Sequence, residues 1–274
     1  MFALQSLMGC KEIGGSVSIG FARGGLLMSL RGDIKLHNQD CMLAMKDMED
    51  NSIDLVLTSP PYNMGSGQSL GYQPNSSVGQ KFYSEYDDNK KDEEYYLWCC
   101  DVISECLRVS RYVFWNVQFV RSTRNMVFEI QSKFKNNLKD IFIWEKQAVS
   151  NITAKKGGMA KGWEYVFMFG EDSLSTFKHN NFPKNGYVPN IKTWYKKESF
   201  KNHHATFTKA MCHYFIDNFT KPGDIVYDPF AGMATTGISC IDLNRKFIGT
   251  EIEKDCYDNA CLRLERHQAQ GQLF

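Results

Sequence analysis

The sequence predicts an α/β fold with a largely parallel sheet, and three observations carry that expectation. From Ile34 onward, short β-rich apolar runs alternate with longer stretches of helical apolar spacing. Two of the apolar runs end in turn chemistry, one in Ser59-Pro60-Pro61-Tyr62 and the other in Asp228-Pro229-Phe230-Ala231-Gly232. The chain has 274 residues and is 43% hydrophobic, enough for one substantial core with at most a small appended lobe.

The first thirty residues are Gly-rich and weakly apolar, and Lys11 and Arg23 interrupt them before a signal-peptide core can form. Residues 1–30 are expected to be a flexible N-terminal extension, with Met28 as the natural start because patterned sequence begins just after it. Residues 31–274 then form the main domain. Cys41 to Met48 has helical spacing, and Ile53 to Thr58 is the first clear strand. Met64 to Asn89, rich in Gly, Ser, Asn and Gln, follows that strand as a long loop, which in compact domains is more often functional than idle.

Next come a helix over Glu93 to Val109, a strand over Tyr112 to Val117, a helix over Phe119 to Phe134 and a strand over Ile141 to Glu145. Glu145 to Lys201 breaks the rhythm: it holds ten Lys against five acidic residues, with aromatics interleaved. Local basicity with aromatics suits a nucleic-acid surface, although the alternation of Trp163 to Phe169 reads better as an ordinary core strand. The rest is regular. Helices are expected over Ala205 to Phe219, Thr235 to Leu243 and Asp255 to His267, and strands over Ile225 to Tyr227 and Phe247 to Glu251.

Composition removes several classes. Thirty-two Lys and Arg against 31 Asp and Glu leave no global charge argument for or against a nucleic-acid partner. Nine cysteines include no C-x-x-C pair and sit in apolar stretches, so they read as reduced core residues of an intracellular protein. No apolar run reaches the 18 residues of a membrane span. His203 and His204 are adjacent and point apart, and the other histidines have no ligand spacing, so no metal is expected.

Two motifs carry the chemistry. At Ser59-Pro60-Pro61-Tyr62 a strand runs into two prolines, which end its ladder and hold a hydroxyl, a carbonyl and an aromatic face together. Ser59 and the Pro60 carbonyl can accept the two hydrogens of an aromatic amine while Tyr62 stacks on its ring. Accepting both hydrogens frees the nitrogen lone pair for attack. A base inside a duplex could not reach such a pocket without being flipped out. The second motif, Asp224 to Gly237, is a strand, a glycine-bearing turn and a helix, the arrangement that lets backbone approach a nucleotide-like ligand. Glu251 lies 23 residues after Asp228, near the interval of about 20 at which a carboxylate meets ribose hydroxyls.

Together these motifs resemble the amino-group DNA methyltransferases, cytosine-N4 or adenine-N6, in the order that puts the catalytic motif before the cofactor motif. The resemblance covers roughly Ile34 to Leu264. It includes Asn38-Gln39-Asp40, Asp50-Asn51-Ser52-Ile53-Asp54, Leu107-Arg108-Val109 before Tyr112 as the family's middle strand, and Lys221-Pro222-Gly223-Asp224. It implies a seven-stranded Rossmann-like methyltransferase sheet with a small target-recognition insert at residues 146–201. It also implies S-adenosyl-L-methionine as cofactor: Asp40 near its adenine, Asp228, Pro229, Phe230, Gly232 and Thr235 forming its turn, and Glu251 on its ribose. His204-Ala205-Thr206-Phe207 resembles the segment beside the methionine end, adding Thr206 and Phe207.

The resemblance implies DNA as partner and a cytoplasmic, prokaryotic or phage-encoded enzyme, and leaves open a homodimer and a cognate restriction endonuclease. Where the family has Gly-Ser-Gly-Thr-Thr this chain has Gly232-Met233-Ala234-Thr235-Thr236, and Ala at 234 is tolerable if its φ is below zero, since only Gly adopts positive φ at little cost. The family's Pro-Gly-Gly after its Arg-Val is absent. Ser before Pro-Pro-Tyr goes more often with cytosine N4 and Asp with adenine N6, so cytosine N4 is the expected target and adenine N6 the alternative. Carbon-5 methylation would need a cysteine after proline, and none of the seven prolines has one. Protein-glutamine methylation in similar folds usually has Asn where Ser59 stands. A non-catalytic nucleic-acid-binding protein of the same fold is the remaining class.

Overall fold

The computed structural model describes residues 8–13, 17–22, 25–30, 33–63, 85–120, 122–146, 162–170, 188–194 and 207–271. In chain order its elements begin with β1 (Met8–Ile13), β2 (Val17–Ala22), β3 (Gly25–Leu30), β4 (Ile34–Asn38), α1 (Cys41–Lys46) and β5 (Ile53–Thr58). They continue with α2 (Asp92–Val109), β6 (Ser110–Val117), α3 (Arg124–Lys133), β7 (Leu138–Lys146), β8 (Trp163–Gly170) and β9 (Ile191–Trp194). The last are α4 (Lys209–Phe219), β10 (Ile225–Asp228), α5 (Thr235–Asp242), β11 (Lys246–Thr250) and α6 (Lys254–Gly271).

Among the described residues one sheet runs β1-β2-β3-β4-β11-β10-β5-β6-β8-β7-β9. The seven strands from β4 to β7 are its core. Six of them are parallel, and β8 is reversed against both β6 and β7. The expected seven-stranded methyltransferase sheet is therefore present, widened by β1 to β3 on one edge and β9 on the other.

Both faces of the sheet are covered, which is why its central strands are almost continuously apolar. Leu55 and Leu57 of β5, Phe114 of β6 and Val226 of β10 bury one face against Met211 and Phe215 of α4, Ile238 of α5 and Leu264 of α6. Val56, Val113, Trp115 and Tyr227 bury the other against Cys99, Ile103 and Cys106 of α2 and Val127 of α3. Helix α2 carries Asp92, Glu93 and Glu94 in its first turn and Arg108 in its last, complementing its dipole. The Arg108 guanidinium also donates to the carbonyls of Met45 and Met48 at 2.7 and 2.9 Å, so the end of α2 closes the exit of α1. Gly237 lets α5 approach β11, because a Cβ there would lie 2.8 Å from the Phe247 ring.

Several sequence expectations need correction. The stretch expected as an N-terminal extension contributes β1, β2 and β3 in antiparallel register onto β4, and Met28 is fully buried. Val17-Ser18-Ile19-Gly20-Phe21 has the period-2 alternation of a strand, masked by the glycines around it. Leu107-Arg108-Val109 ends α2 and does not belong to the middle strand, which starts at Ser110. Helix α3 starts at Arg124, later than Phe119, because Thr123 Oγ1 accepts from the Val120 N–H ahead of the helix.

Candidate active site

The Ser59 motif, the Asp228 turn and Glu251 follow the carboxyl ends of β5, β10 and β11, three neighbouring strands of the sheet. Open parallel sheets place ligands at that edge. Thr58, the last residue of β5, donates from Oγ1 to Asp228 Oδ1 at 2.7 Å, so one hydrogen bond joins the two motifs.

The Asp228 carboxylate is consumed by its own turn. Besides Thr58 it accepts from Thr236 Oγ1 at 2.7 Å and from the Phe230 N–H at 3.1 Å. Burial raises its pKa to about 6, against the three hydrogen bonds. The turn then passes through Gly232 at φ 50° and Ala234 at φ 53°. Ala234 thus does not meet the condition of negative φ under which Ala stands there without strain. Its left-handed backbone caps the start of α5, a conformation in which Ala costs about 1–2 kcal/mol. Pro229 is buried, and its carbonyl accepts from Thr250 Oγ1 at 2.7 Å. Thr235, also buried, accepts from Arg263 Nη1 at 3.0 Å, which ties the turn to α6.

Glu251 bridges backbone groups as well. Its Oε2 accepts from the Gly232 N–H at 2.8 Å and its Oε1 from the Glu253 N–H at 2.9 Å. Burial lifts its pKa to about 7. Next to it, Asn38 Nδ2 donates to the carbonyls of Glu251 and Ile252, at 2.9 and 3.0 Å. Gln39 Oε1 is buried without a hydrogen-bond partner, so this edge retains an acceptor for a ligand donor. Asp40 is the N-cap of α1, its Oδ1 accepting from the Met42 and Leu43 N–H groups at 2.8 and 3.2 Å. Phe230 is half-buried, its ring 5.5 Å from Trp98 and 6.2 Å from Trp115. Trp98 was not singled out in the sequence, since within the apolar spacing of α2 it reads as core. Phe207 packs, partly buried, on the core beside α4, while Thr206 lies outside the described residues.

On the other side, Pro60 is buried and the Pro61 carbonyl accepts from Tyr95 Oη at 2.6 Å. Ser59 and Tyr62 are half-buried, with Ser59 Oγ 3.0 Å from Tyr62 Oη. The phenol also reaches Glu164 Oε2 of β8 at 3.1 Å and Asn116 Oδ1 of β6 at 3.4 Å. Glu164 was missed in the sequence: a single acid at position two of an apolar strand carries no signal until β8 is paired beside β6. Burial, then the neighbouring Glu164 charge, pushes the Tyr62 pKa well above its usual value, so the ring stays a neutral phenol. Asn63, at φ 52°, exchanges two hydrogen bonds with the Lys90 backbone at 2.7 and 2.8 Å. Residues 64–84 of the expected loop lie outside the described residues, as do 147–161, 171–187 and 195–201 of the expected recognition region. Strands β8 and β9 fall inside that region, so it includes part of the sheet.

Known proteins similar to this chain bear on its family and its fold. A family model described as DNA methylase, of the N6/N4 type, matches residues 53–261. The type II methyltransferase M.BglII of Bacillus subtilis is 29% identical over 263 residues, covering 82% of this chain and 67% of the relative. The DNA adenine methyltransferase YhdJ of Escherichia coli (strain K12) is 26% identical, covering 82% of this chain and 81% of the relative. Among solved structures, the PvuII DNA methyltransferase (cytosine-N4-specific) aligns with a TM-score of 0.64 at 16% identity, covering 87% of this chain and 92% of the other. The M1.HpyAVI–SAM complex aligns at 0.57 with 20% identity, covering 84% and 98%. The two solved structures show the fold; the matched model, spanning most of the sequence, shows more: the chain belongs to the N6/N4 DNA methylase family.

Proposed function

We propose that this DNA methylase transfers the methyl group of S-adenosylmethionine to N4 of a cytosine flipped out of DNA. One observation carries the reading: the Thr58–Asp228 hydrogen bond of 2.7 Å ties the Ser-Pro-Pro-Tyr corner to the glycine-bearing turn, so amine and methyl donor share one edge. S-adenosylmethionine supplies an electrophilic methyl on a sulfonium. Glu251 and Gln39 offer acceptors to its ribose hydroxyls, and Phe230, flanked by Trp98 and Trp115, offers an apolar wall for its adenine. Asp228 holds the turn in shape through Thr58, Thr236 and the Phe230 N–H.

Ser59 and the Pro60 carbonyl accept the amine hydrogens, and Tyr62 presents its ring to the base. Orientation of nucleophile against methyl supplies most of the acceleration. The choice of cytosine rests on Ser59, a neutral hydroxyl where adenine-directed relatives more often have Asp. A second reading, adenine N6, draws support from the name of the E. coli relative. Action on DNA would place the enzyme in a bacterial cytoplasm, with a homodimer or a cognate endonuclease as further partners to seek.

The test is methylation of unmodified plasmid DNA with labelled S-adenosylmethionine, digestion to nucleosides and mass spectrometry. N4-methylcytosine is the expected product. N6-methyladenine would overturn the choice of base, and no methylated base despite cofactor binding would overturn the DNA substrate.

A further inference from the structure

The phenol of Tyr62 has one proton, side-chain neighbours in Ser59, Glu164 and Asn116, and a hydrogen bond from the Gln118 backbone. Glu164 Oε2 at 3.1 Å is carboxylate oxygen, paired through Oε1 with the Lys146 ammonium, and can only accept. Asn116 Nδ2 donates to the Tyr165 carbonyl at 2.9 Å, which turns the amide so that its oxygen faces the phenol at 3.4 Å. Both neighbours being acceptors, the phenol proton points toward them. The 3.0 Å contact between Ser59 and Tyr62 then has one polarity, with Ser59 donating. Its own proton committed, the half-exposed Ser59 oxygen offers only lone pairs outward.

That polarity matters. A hydroxyl free to rotate can present its proton to the amine lone pair and block the nucleophile. We propose that Glu164 is a positioning residue for methyl transfer: through Tyr62 it fixes Ser59 as an acceptor, and along the same chain it takes the proton the amine sheds. The inference rests on the reading of Ser59 as the partner of the amine. The amine nitrogen forms a bond to the methyl carbon as the sulfur–carbon bond breaks, sulfur keeping the electron pair. The nitrogen, now cationic and strongly acidic, gives a proton to Ser59 Oγ. Ser59 passes its own proton to Tyr62 Oη, and the phenol proton moves to Glu164 Oε2. Water recovers it after release, and atoms and charge balance. Glu164 is only 5% exposed, so bulk water does not compete for its oxygens during the step. Among the described residues, the charged or titratable groups facing it are Lys146 from β7 and Tyr62 from the β5 corner.

The experiment compares Glu164→Gln, Tyr62→Phe and the double variant in single-turnover methylation of plasmid DNA over about pH 5 to 9, with cofactor affinity by calorimetry. The expected result for Glu164→Gln is a rate loss of roughly a hundredfold, the scale of one positioned proton acceptor, with cofactor affinity and KM for DNA within about twofold. The double variant should be no slower than Tyr62→Phe. Wild-type rates in Glu164→Gln, or losses that multiply in the double variant, would overturn the proposal. Glu164→Asp, which keeps the Lys146 pair on a shorter arm, serves for the same measurements if Glu164→Gln does not fold. If wild-type protein methylates no base in DNA, the functional reading has failed, and the 13Cζ resonance of Tyr62, assigned by its loss in Tyr62→Phe, decides this inference separately. It should shift in Glu164→Gln; an unmoved resonance removes the hydrogen bond on which the chain depends.

Discussion

The two halves of the site solve opposite electrostatic problems. At the ends of β10 and β11, buried carboxylates are tied to backbone N–H groups and hydroxyls, and burial raises Asp228 to about 6 and Glu251 to about 7. At the ends of β5, β6 and β8, the groups closest to the reacting position are neutral, and the nearest charge, Glu164, sits one phenol behind them. The first half ties its carboxylates to backbone N–H groups of the turn as well as to hydroxyls, so its shape survives only while the turn does. The second is built from side chain to side chain, so single substitutions can change its chemistry while leaving the fold in place. Binding and turnover should therefore separate cleanly between the halves.

The largest effect that tests this separation is on the neutral side. Ser59→Ala and Tyr62→Ala should each lower turnover by about a hundredfold or more, the scale of a lost group that stabilises the transition state. Cofactor affinity by calorimetry should stay within about twofold. An equal loss of affinity in both variants would merge the two halves into one. Next in size is Glu251→Ala, which leaves the Gly232 and Glu253 N–H groups without their acceptor. It should weaken cofactor binding by about 1–3 kcal/mol, with the rate at saturating cofactor little changed. Unchanged affinity would remove Glu251 from the ribose.

This asymmetry also explains what could be read from the chain alone. Ser59, Tyr62, Asp228 and Glu251 are legible because each ends an apolar strand, and a strand end followed by proline or glycine is a local signal. Glu164 and Trp98 are not, because each becomes part of the site only through partners distant in sequence: Tyr62 lies 102 residues from Glu164. The central strands were legible as continuous apolar runs, whereas β1 to β3 were hidden by glycines and β9 by its four-residue length. In the basic, aromatic region from 146 onward it was the alternation of Trp163 to Phe169, and not the composition, that marked β8 as a core strand.

A smaller effect should appear with pH. In the unfolded chain both carboxyls ionise near pH 4, whereas in the fold they hold protons up to about 6 and 7. Their contribution to stability is therefore full below about pH 4 and lost as pH rises through those two values. The ligand-free thermal midpoint should fall between about pH 5 and 8. Cofactor affinity should rise over the same interval, because ionised Glu251 is the stronger acceptor. Glu251→Gln should flatten the affinity trend and keep the part of the stability trend due to Asp228; parallel trends in the wild type would contradict the role of the charge.

The smallest effect concerns Ala234, where the chain departs from the glycine of its family. Left-handed Ala costs about 1–2 kcal/mol, so Ala234→Gly relieves strain. The same change removes a methyl with no solvent exposure, worth about 0.8 kcal/mol, and adds about 0.5–1 kcal/mol of unfolded-state freedom. The opposing contributions nearly cancel, which accounts physically for how Ala can stand at φ 53°. Chemical denaturation of Ala234→Gly should move by less than about 1 kcal/mol, with cofactor affinity unchanged, since the Ala234 N–H already bonds to the Ala231 carbonyl at 2.7 Å. Ala234→Val, β-branched at a left-handed position, should instead lose several kcal/mol. A large gain in Ala234→Gly would mean that the strain stands uncompensated and is held in place by the turn. A large loss would mean that the buried methyl, more than the backbone, shapes the turn.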